Sequence, residues 1–154
     1  MIKIINGDLL KATDRDVILH QVNCKGVMNG GIAKQIRLAY PDLYWKYSNY
    51  CKKNNFLLGE VVYYKLPQYI IANCFGQDGY GRGKRYTDYE ALEKCFIKIG
   101  VLADQYKEKT GKDFKIGIPY KIGCGLGGGD WNIVYGMICE IFEGLDVVIY
   151  RKDW

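Results

Sequence analysis

The sequence has a single histidine, His20, among its 154 residues, and this scarcity excludes whole classes of site. A metal centre that needs two or more imidazoles cannot be built from one. The six cysteines are scattered and contain no C-x-x-C pair. No apolar run approaches the roughly 18 residues that are needed to cross a bilayer. We therefore expect no metal, no other cofactor and no membrane partner.

The excess of positive charge is also small. Lys and Arg number 22 and Asp and Glu number 17, which gives a formal charge of +5. Nucleic-acid binding usually requires a concentrated basic face, so this balance does not favour nucleic acid and suits a small anionic ligand. The N-terminus does not resemble a signal peptide, so the cysteines indicate reduced thiols in a cytoplasmic protein. The length and the 49% hydrophobic fraction predict one domain over residues 1–154.

Short apolar runs bounded by turn residues alternate with amphipathic segments along the chain. The predicted strands are Ile2–Asn6, Val17–Val22, Glu60–Leu66, Tyr69–Phe75, Lys115–Ile118 and Asp146–Tyr150. Helices are expected after Gly31, from Pro41, after Thr87 as the N-cap of a capping box with Glu90, and over Trp131–Phe142. Strands separated by helices predict an α/β fold, a three-layer α/β/α sandwich with a central mixed, mostly parallel sheet.

Two glycine-rich turns follow predicted strands, at the sheet edge where such folds bind ligands. In VNCKGVMNGGIAKQI, Gly30 and Gly31 precede a helix, whose N–H groups and dipole fit an anion. Its spacing is neither that of a P-loop nor that of a dinucleotide fingerprint, and a plain strand-to-helix turn is the alternative. In IPYKIGCGLGGGDW, five glycines precede Asp130. Because each glycine is costly to order, this number predicts a loop that grips phosphate and sugar.

Two further features are less specific. The segment FGQDGYGRGKRYTDYEAL combines glycines and aromatic rings with Arg82, Lys84 and Arg85. It fits a loop that closes over a nucleotide or contacts RNA, and the alternative is a solvated surface loop. Asp8, in INGDLL, follows the first strand, where its carboxylate can accept a hydrogen bond from an exocyclic amine such as that of adenine. The alternative for Asp8 is the N-cap of a short turn.

Taken together, these four segments resemble the macrodomain family of ADP-ribose binders, in the family's order and over essentially the whole chain. The forms Q-V-N-C-K-G and G-C-G-L-G-G-G-D-W are most similar to one branch of that family. This branch includes ADP-ribose-1″-phosphate phosphatases, the terminal ADP-ribose glycohydrolase and the reader module of a chromatin remodeller. The resemblance implies that Asp8 bonds the adenine amine, that Asn23 lies at the distal ribose, and that the two turns present N–H groups to the phosphates. Phe75 or Tyr80 would pack near the sugar or the base.

The ligand-binding residues that the resemblance implies are Asp8, Leu9, Asn23, Lys25, Gly30, Gly31, Ile32, Phe75, Tyr80, Gly123, Cys124, Gly125, Leu126, Gly127 and Gly128. Among them, Cys124, Gly125 and Leu126 would donate the main-chain N–H groups of the second glycine-rich turn. The catalytic candidates are His20, Asn23 and Asp130. His20 precedes the Q-V-N-C turn as a histidine does in the phosphatases, and an imidazole there could serve as acid or base. A buried, hydrogen-bonded histidine is the alternative for His20, and a helix cap is the favoured alternative for Asp130.

The glycohydrolase of this branch uses a lysine at the end of the strand that corresponds to Tyr69–Phe75, and an aspartate directly after G-C-G-L. Here we assign those positions to Cys74, within a residue or two, and to Gly127. This departure argues against the glycohydrolase mechanism, unless Lys84 folds inward to replace the lysine.

The resemblance thus implies binding of ADP-ribose and hydrolysis of ADP-ribose-1″-phosphate to ADP-ribose and phosphate. One alternative is an ADP-ribosyl hydrolase that removes ADP-ribose from modified macromolecules. Another is a non-catalytic module that reads or sequesters ADP-ribose. The expected partners are ADP-ribose or a phosphorylated derivative, with ADP-ribosylated macromolecules as substrates under the first alternative.

Overall fold

The computed structural model describes residues 1–152, and its strands form one six-stranded sheet. The strands are β1 (Ile2–Asn6), β2 (Val17–Asn23), β3 (Val61–Lys65), β4 (Ile70–Gln77), β5 (Ile116–Pro119) and β6 (Val147–Arg151). Their order across the sheet is β1-β6-β5-β2-β4-β3, with β3 antiparallel to β4 and the other pairs parallel. The parallel strands therefore all end at one edge of the sheet.

Helices cover both faces of this sheet. They are α1 (Gly31–Ala39), α2 (Pro41–Lys53), α3 (Tyr89–Thr110) and α4 (Trp131–Ile141), and a 3-10 turn spans Leu9–Lys11. α1 and α2 share one buried core with the sheet, while α3 and α4 share the other. The predicted three-layer α/β/α sandwich with a mixed, mostly parallel sheet is confirmed. Within residues 1–152, no helix is long and apolar enough to cross a membrane.

The central strand β2 illustrates why both faces need cover. Val17 and Leu19 pack into the α3–α4 core, whereas Ile18 and Val22 pack into the α1–α2 core. Side chains alternate between the two faces of a strand, so a strand buried on both faces reads as a nearly continuous apolar run. His20 interrupts that run and is fully buried.

The start of α3 differs from the prediction. The N-cap is Asp88, whose carboxylate accepts a hydrogen bond from the N–H of Ala91 at 3.0 Å. The Thr87 hydroxyl instead donates to the carbonyl of Gly123 at 2.6 Å. The capping-box prediction for Thr87 is therefore wrong, because a partner far along the chain takes its hydroxyl. Most other boundaries move by one or two residues, and β4 extends to Gln77.

Candidate functional site

The first turn (residues 24–31) leaves β2 at Asn23, whose buried side chain organises it. Its Oδ1 accepts hydrogen bonds from the N–H groups of Lys25 at 3.0 Å and Val27 at 3.3 Å. The hydroxyl of Tyr47 on α2 donates to the same oxygen at 2.9 Å. The Asn23 Nδ2 donates to the Val27 carbonyl at 2.7 Å, which leaves one amide proton for a ligand. Asn23 thus shapes the turn whatever it does with a ligand.

The first turn ends where α1 begins without a side-chain cap, because the N-cap is Gly30. Within residues 1–152, the N–H groups of Gly31, Ile32 and Ala33 find no protein acceptor. A helix N-terminus also carries partial positive charge, so these donors suit an anion. Gly31 has a φ of 56°, and a Cβ on it would meet no atom within 4 Å. Here glycine satisfies the backbone conformation and leaves the space in front of the helix open.

The second turn (residues 120–129) joins β5 to α4 and divides its N–H groups into two sets. Those bonded to carbonyls of the loop itself include Cys124, Gly128 and Gly129. Those without an acceptor in the described part of the chain are Lys121, Gly123 and three consecutive residues, Gly125, Leu126 and Gly127. Cys124 differs from the prediction, because its N–H already donates to the Lys121 carbonyl at 2.8 Å. The free donors therefore lie one residue further along than expected.

The two turns meet at Leu126. Its side chain is half-exposed and packs so closely on Gly30 that a Cβ there would overlap the Leu126 Cδ1. One set of free N–H groups follows Gly30, and the other surrounds Leu126. Consecutive backbone N–H groups without acceptors form anion-binding sites in proteins. The contact therefore brings together two sets of donors that can hold phosphate oxygens.

Asp8 lies at the β1 end of the same edge. Its carboxylate accepts hydrogen bonds from the N–H of Leu10 at 3.0 Å and from Lys152 Nζ at 2.7 Å. Burial alone would raise the pKa of Asp8, but these two hydrogen bonds and the charges of Lys152 and Lys11 together lower the pKa below its ordinary value. The ionised carboxylate has further lone pairs for an amine. Asp8 also caps the 3-10 turn, as the alternative prediction stated. The side chain of Leu9 is fully buried, so only its backbone can reach a ligand.

The two aromatic side chains that are predicted near the ligand, Phe75 and Tyr80, lie in different environments. Phe75 is 1% exposed and packs between Tyr47 and Tyr50, with ring centroids 6.0 and 6.2 Å away. The sequence predicts Phe75 or Tyr80 near the sugar or the base, and β4 points the Phe75 ring into the α1–α2 core, which favours Tyr80 for that contact. Tyr80, beyond the end of β4, is 53% exposed and remains available.

A groove of about 670 Å³ opens beyond the first turn and the end of β4. Its lining includes Lys25, Lys52, Phe56 and Asp78. Lys25 Nζ lies 3.5 Å from Asp78 Oδ2, an exposed pair that the solvent screens. The predicted ligand contact of Lys25 therefore competes with a carboxylate neighbour. Phe56 is almost fully exposed.

His20 lies in the middle of β2 with no exposed surface. Its Nε2 is 2.6 Å from Oδ1 of Asn73, the register partner on β4. Burial lowers the pKa of His20 to about 4, although the Asn73 hydrogen bond acts in the opposite direction. The ring is therefore neutral at pH 7 and out of contact with solvent. This geometry favours the buried-histidine alternative over an acid–base role.

Asp130 follows the second turn and begins α4. Its Oδ1 accepts from the N–H of Asn132 at 2.9 Å, and its own N–H donates to the Tyr89 hydroxyl at 2.8 Å. Asp130 is thus a helix cap, as the favoured alternative stated, and its side chain is exposed next to the turn. A catalytic role for it remains a prediction.

The thiols in the two turns are poor nucleophiles. Burial, with a smaller contribution from Asp78, raises the pKa of Cys24 to about 12. Burial, with a smaller contribution from Asp130, raises the pKa of Cys124 to about 11. Thiolates carry out nucleophilic and metal-binding chemistry, and both groups are protonated at neutral pH. Among residues 1–152, no group of three or more His, Cys, Asp or Glu side chains is placed to hold a metal ion.

The family assignment follows from comparison with known proteins. A sequence profile described as the Macro domain matches residues 19–138. The chain belongs to the Macro domain family. A Lodderomyces elongisporus protein named ADP-ribose 1″-phosphate phosphatase is similar to this chain and 30% identical to it over 168 residues. The alignment covers 99% of this chain and 99% of that protein.

Two longer proteins are also similar to this macrodomain. A Mycobacterium tuberculosis protein named DNA ADP-ribosyl glycohydrolase is 28% identical over 158 residues, which are 97% of this chain and 42% of that protein. The structure of Thermosipho africanus DarTG in complex with ADP-ribose matches with a TM-score of 0.79 and 24% identity. It covers 98% of this chain and 41% of that one. The macrodomain thus spans about two fifths of these two proteins.

Sequence reasoning missed three polar residues of the macrodomain that lie beneath the second turn. They are Gln21, Gln77 and Thr87, which are joined by hydrogen bonds. Gln77 also ends β4, whereas Cys74, assigned to the glycohydrolase lysine position, is fully buried in the α3–α4 core. The sequence does contain a feature that indicates this network, because polar residues interrupt the apolar pattern at the ends of β2 and β4.

Proposed function

We propose that this macrodomain binds ADP-ribose along the carboxyl edge of its sheet. The observation that carries the proposal is the pair of free donor sets, Gly31–Ala33 and 125–127, on either side of the Leu126–Gly30 contact. The complex of Thermosipho africanus DarTG with ADP-ribose supports the same ligand for this fold. We also propose that residues 1–154 form one domain, since all described strands share one sheet.

The spacing of the strands supports one orientation of ADP-ribose along the sheet edge, with the adenine towards β1 and the distal ribose towards β2. β1, which leads to Asp8, and β2, which ends at Asn23, are separated by β6 and β5. Three inter-strand spacings amount to about 14 Å, which leaves room for a diphosphate between two sugars. The adenine would lie at Asp8, the diphosphate between the two turns, and the distal ribose between Asn23 and Tyr80.

For the reaction we propose hydrolysis of ADP-ribose 1″-phosphate to ADP-ribose and phosphate. Water adds to phosphorus and gives up a proton to the base, the bond from phosphorus to the ribose O1″ breaks, and the protonated base returns that proton to O1″. Those free N–H groups of the second turn that the diphosphate does not take would stabilise the charge that develops on the phosphoryl oxygens. Asp130 is the exposed carboxylate beside this turn and the proposed base. His20 has no part in this step, because it has no access to the ligand.

Calorimetric titration with ADP-ribose and release of phosphate from ADP-ribose 1″-phosphate test the two parts separately. Asp130→Asn is a well-matched variant, since asparagine caps a helix as well as aspartate does and only the charge is lost. We expect unchanged ADP-ribose affinity and turnover reduced by about 100-fold or more. Tight ADP-ribose binding without phosphate release from the wild type would contradict the phosphatase and leave a non-catalytic reader.

A second candidate is an ADP-ribosyl hydrolase that acts on modified macromolecules. The groove beyond the first turn favours it, because the group attached to the distal ribose would point toward that space. The DNA ADP-ribosyl glycohydrolase among the relatives is compatible with such a substrate. Against a lysine mechanism, β4 ends in the amide of Gln77, and Lys84 lies over the ring of Tyr86 at 4.8 Å.

The second candidate is tested by loss of label from ADP-ribosylated protein and DNA. If it holds, Lys84→Gln or Asp78→Asn should abolish release of the label while ADP-ribose still binds. Release by wild type and both variants at equal rates would exclude these two residues, and no release at all would exclude the activity.

A further inference from the structure

The network beneath the second turn connects three elements of the macrodomain. Gln21 on β2 donates through Nε2 to Oε1 of Gln77 at 2.7 Å and to Oγ1 of Thr87 at 2.9 Å. Thr87 is 2% exposed and donates its own proton to the carbonyl of Gly123 at 2.6 Å. Gln77 donates to the carbonyl of Gly79 at 2.8 Å. Gln21 on β2 thus holds Thr87, and Thr87 holds a carbonyl of the second turn.

The second turn is held at two carbonyls. The Gly123 carbonyl accepts the Thr87 hydroxyl, and the Gly127 carbonyl accepts the backbone N–H groups of Tyr86 at 2.8 Å and Thr87 at 3.0 Å. The N–H groups of residues 125–127, which have no acceptor in the described chain, lie within this stretch. Each of these carbonyls shares a planar peptide unit with the N–H group that follows it, of Cys124 or Gly128. The three free N–H groups therefore lie on a short stretch of chain whose two ends are fixed.

Glycines make room for the network. A Cβ on Gly76 would overlap Gln21 Oε1, and a Cβ on Gly123 would lie 2.9 Å from the same oxygen. A Cβ on Gly127 would lie 2.5 Å from Thr87 Oγ1 and 2.8 Å from the Gly123 carbonyl oxygen. These distances are too short for real Cβ contacts. The turn can approach the network this closely only because these positions are glycine.

Stability alone does not account for this network. The Gln21 Oε1 is buried and has no hydrogen-bond partner within residues 1–152. A buried oxygen without a partner costs free energy that an apolar side chain of the same shape would not. The amide at position 21 is therefore explained by what its Nε2 holds, namely Thr87 and Gln77.

We propose that Gln21 and Thr87 are positioning residues, which hold the second turn in the conformation that binds the distal phosphate and ribose of the ligand. They act through the carbonyl of Gly123 and do not touch the ligand themselves. The proposal rests on ADP-ribose binding as proposed above. It predicts that loss of the Thr87 hydroxyl weakens binding of the distal half of the ligand and spares the adenosine half.

The test compares Thr87→Val, which removes the hydroxyl at nearly constant shape, with Thr87→Ser, which retains it. Thr110→Val is the control, because that hydroxyl also donates to a backbone carbonyl, of Tyr106 at 2.8 Å, but on the exposed end of α3. Melting temperatures are measured first, and binding is measured where all the proteins are folded. ADP-ribose is compared with adenosine 5′-monophosphate, which lacks the distal phosphate and ribose.

We expect Thr87→Val to weaken ADP-ribose binding by about tenfold, the equivalent of about 1.4 kcal/mol. Binding of adenosine 5′-monophosphate should stay unchanged, Thr87→Ser should restore most of the affinity, and Thr110→Val should behave as wild type. If Thr87→Val does not fold, Gln21→Met takes its place, since it leaves the Thr87 hydroxyl intact and should weaken only ADP-ribose.

Two results would overturn the positioning role. One is unchanged ADP-ribose affinity in Thr87→Val and Gln21→Met; the other is an equal loss for both ligands, which indicates general structural damage. The failure of the proposed function looks different, because wild-type protein would then bind no ADP-ribose, and both proposals would fall.

Discussion

The two turns that face each other at the carboxyl edge are supported in different ways. The first turn is held by a side chain from its own beginning, Asn23, with help from Tyr47. The second turn is held from outside by Thr87, which is distant in sequence. Gly31 in the first turn faces open space, whereas Gly127 in the second lies against the network. Glycine thus serves backbone conformation and ligand space in one turn, and close packing in the other.

The largest expected effect comes from Gly31→Glu. A carboxylate at the N-terminus of α1 would occupy the space and repel the charge of the diphosphate. ADP-ribose affinity should fall by about 1,000-fold or more, or about 4 kcal/mol, in a calorimetric titration. The turn itself should remain folded, because a Cβ at Gly31 meets no neighbour within 4 Å.

Gly144→Glu is the matched control for this variant. Gly144 also has a positive φ, 79°, and open space around it, but it lies between α4 and β6 at the opposite end of the sheet. Both variants carry the same charge and a similar backbone strain of about 1–2 kcal/mol. Equal loss of binding in both would mean that strain, and not the diphosphate site, explains the result.

The strand that carries the first turn contains a buried titratable group, and this predicts a pH dependence. The pKa of His20 is about 4 in the folded protein, against an ordinary value of 6.5. As the pH falls, the His20 ring takes up a proton in the unfolded chain before it does so in the folded protein. The stability that the neutral ring provides is therefore retained above pH 6.5 and lost between pH 6.5 and pH 4. The contribution of His20 to that loss is about 3 kcal/mol.

Urea unfolding of wild type and His20→Gln between pH 7 and pH 4 gives the free energy of unfolding at each pH. The contribution of His20 is the difference between the two proteins in how steeply that free energy falls with pH. The NMR titration of the imidazole gives the same pKa without any substitution. Equal slopes in the two proteins, or a titration near 6.5, would contradict the buried neutral ring.

Within the second turn, two alanine substitutions should separate packing from ligand space. Gly127→Ala places a Cβ against Thr87 and should reduce the free energy of unfolding by about 2 kcal/mol. Gly125→Ala meets no neighbour within 4 Å, so its stability should change by less than about 0.5 kcal/mol while ADP-ribose affinity falls. Denaturant unfolding measures the stability of both variants. Similar losses in the two would mean that close packing does not distinguish Gly127 from Gly125.

The smallest effect is expected at the support of the first turn. The hydroxyl of Tyr47 donates to both the carbonyl and the side chain of Asn23, at 2.7 and 2.9 Å. Tyr47→Phe should reduce the free energy of unfolding by about 1 kcal/mol. Tyr44→Phe, on the same helix, is the control, because that hydroxyl makes no hydrogen bond within residues 1–152. If both variants lose the same stability, Tyr47 does not support the turn through its hydroxyl.

Local pattern was sufficient for the architecture. Alternation of apolar residues located the strands, and Asp130 was favoured as a helix cap, as observed. The same alternation could have placed Phe75 in the core, because it shares the parity of the buried Ile71 on β4.

Long-range contacts account for the rest. Thr87 and Asp88 are adjacent and both can cap a helix, so local sequence cannot choose between them. The choice is made by the carbonyl of Gly123, which takes the Thr87 hydroxyl. In the same way, the number of glycines in the second turn indicated function, but which glycine faces the network and which faces solvent depends on the tertiary fold.

Amide NMR during an ADP-ribose titration decides whether the free N–H groups of the two turns bind the diphosphate. We expect large downfield shifts for the amide protons of Gly31, Ile32 and residues 125–127. The amides of Cys124 and Gly128, already bonded within the turn, should shift much less. Shifts confined to other parts of the surface, or to one turn alone, would show that the two turns do not bind the diphosphate together.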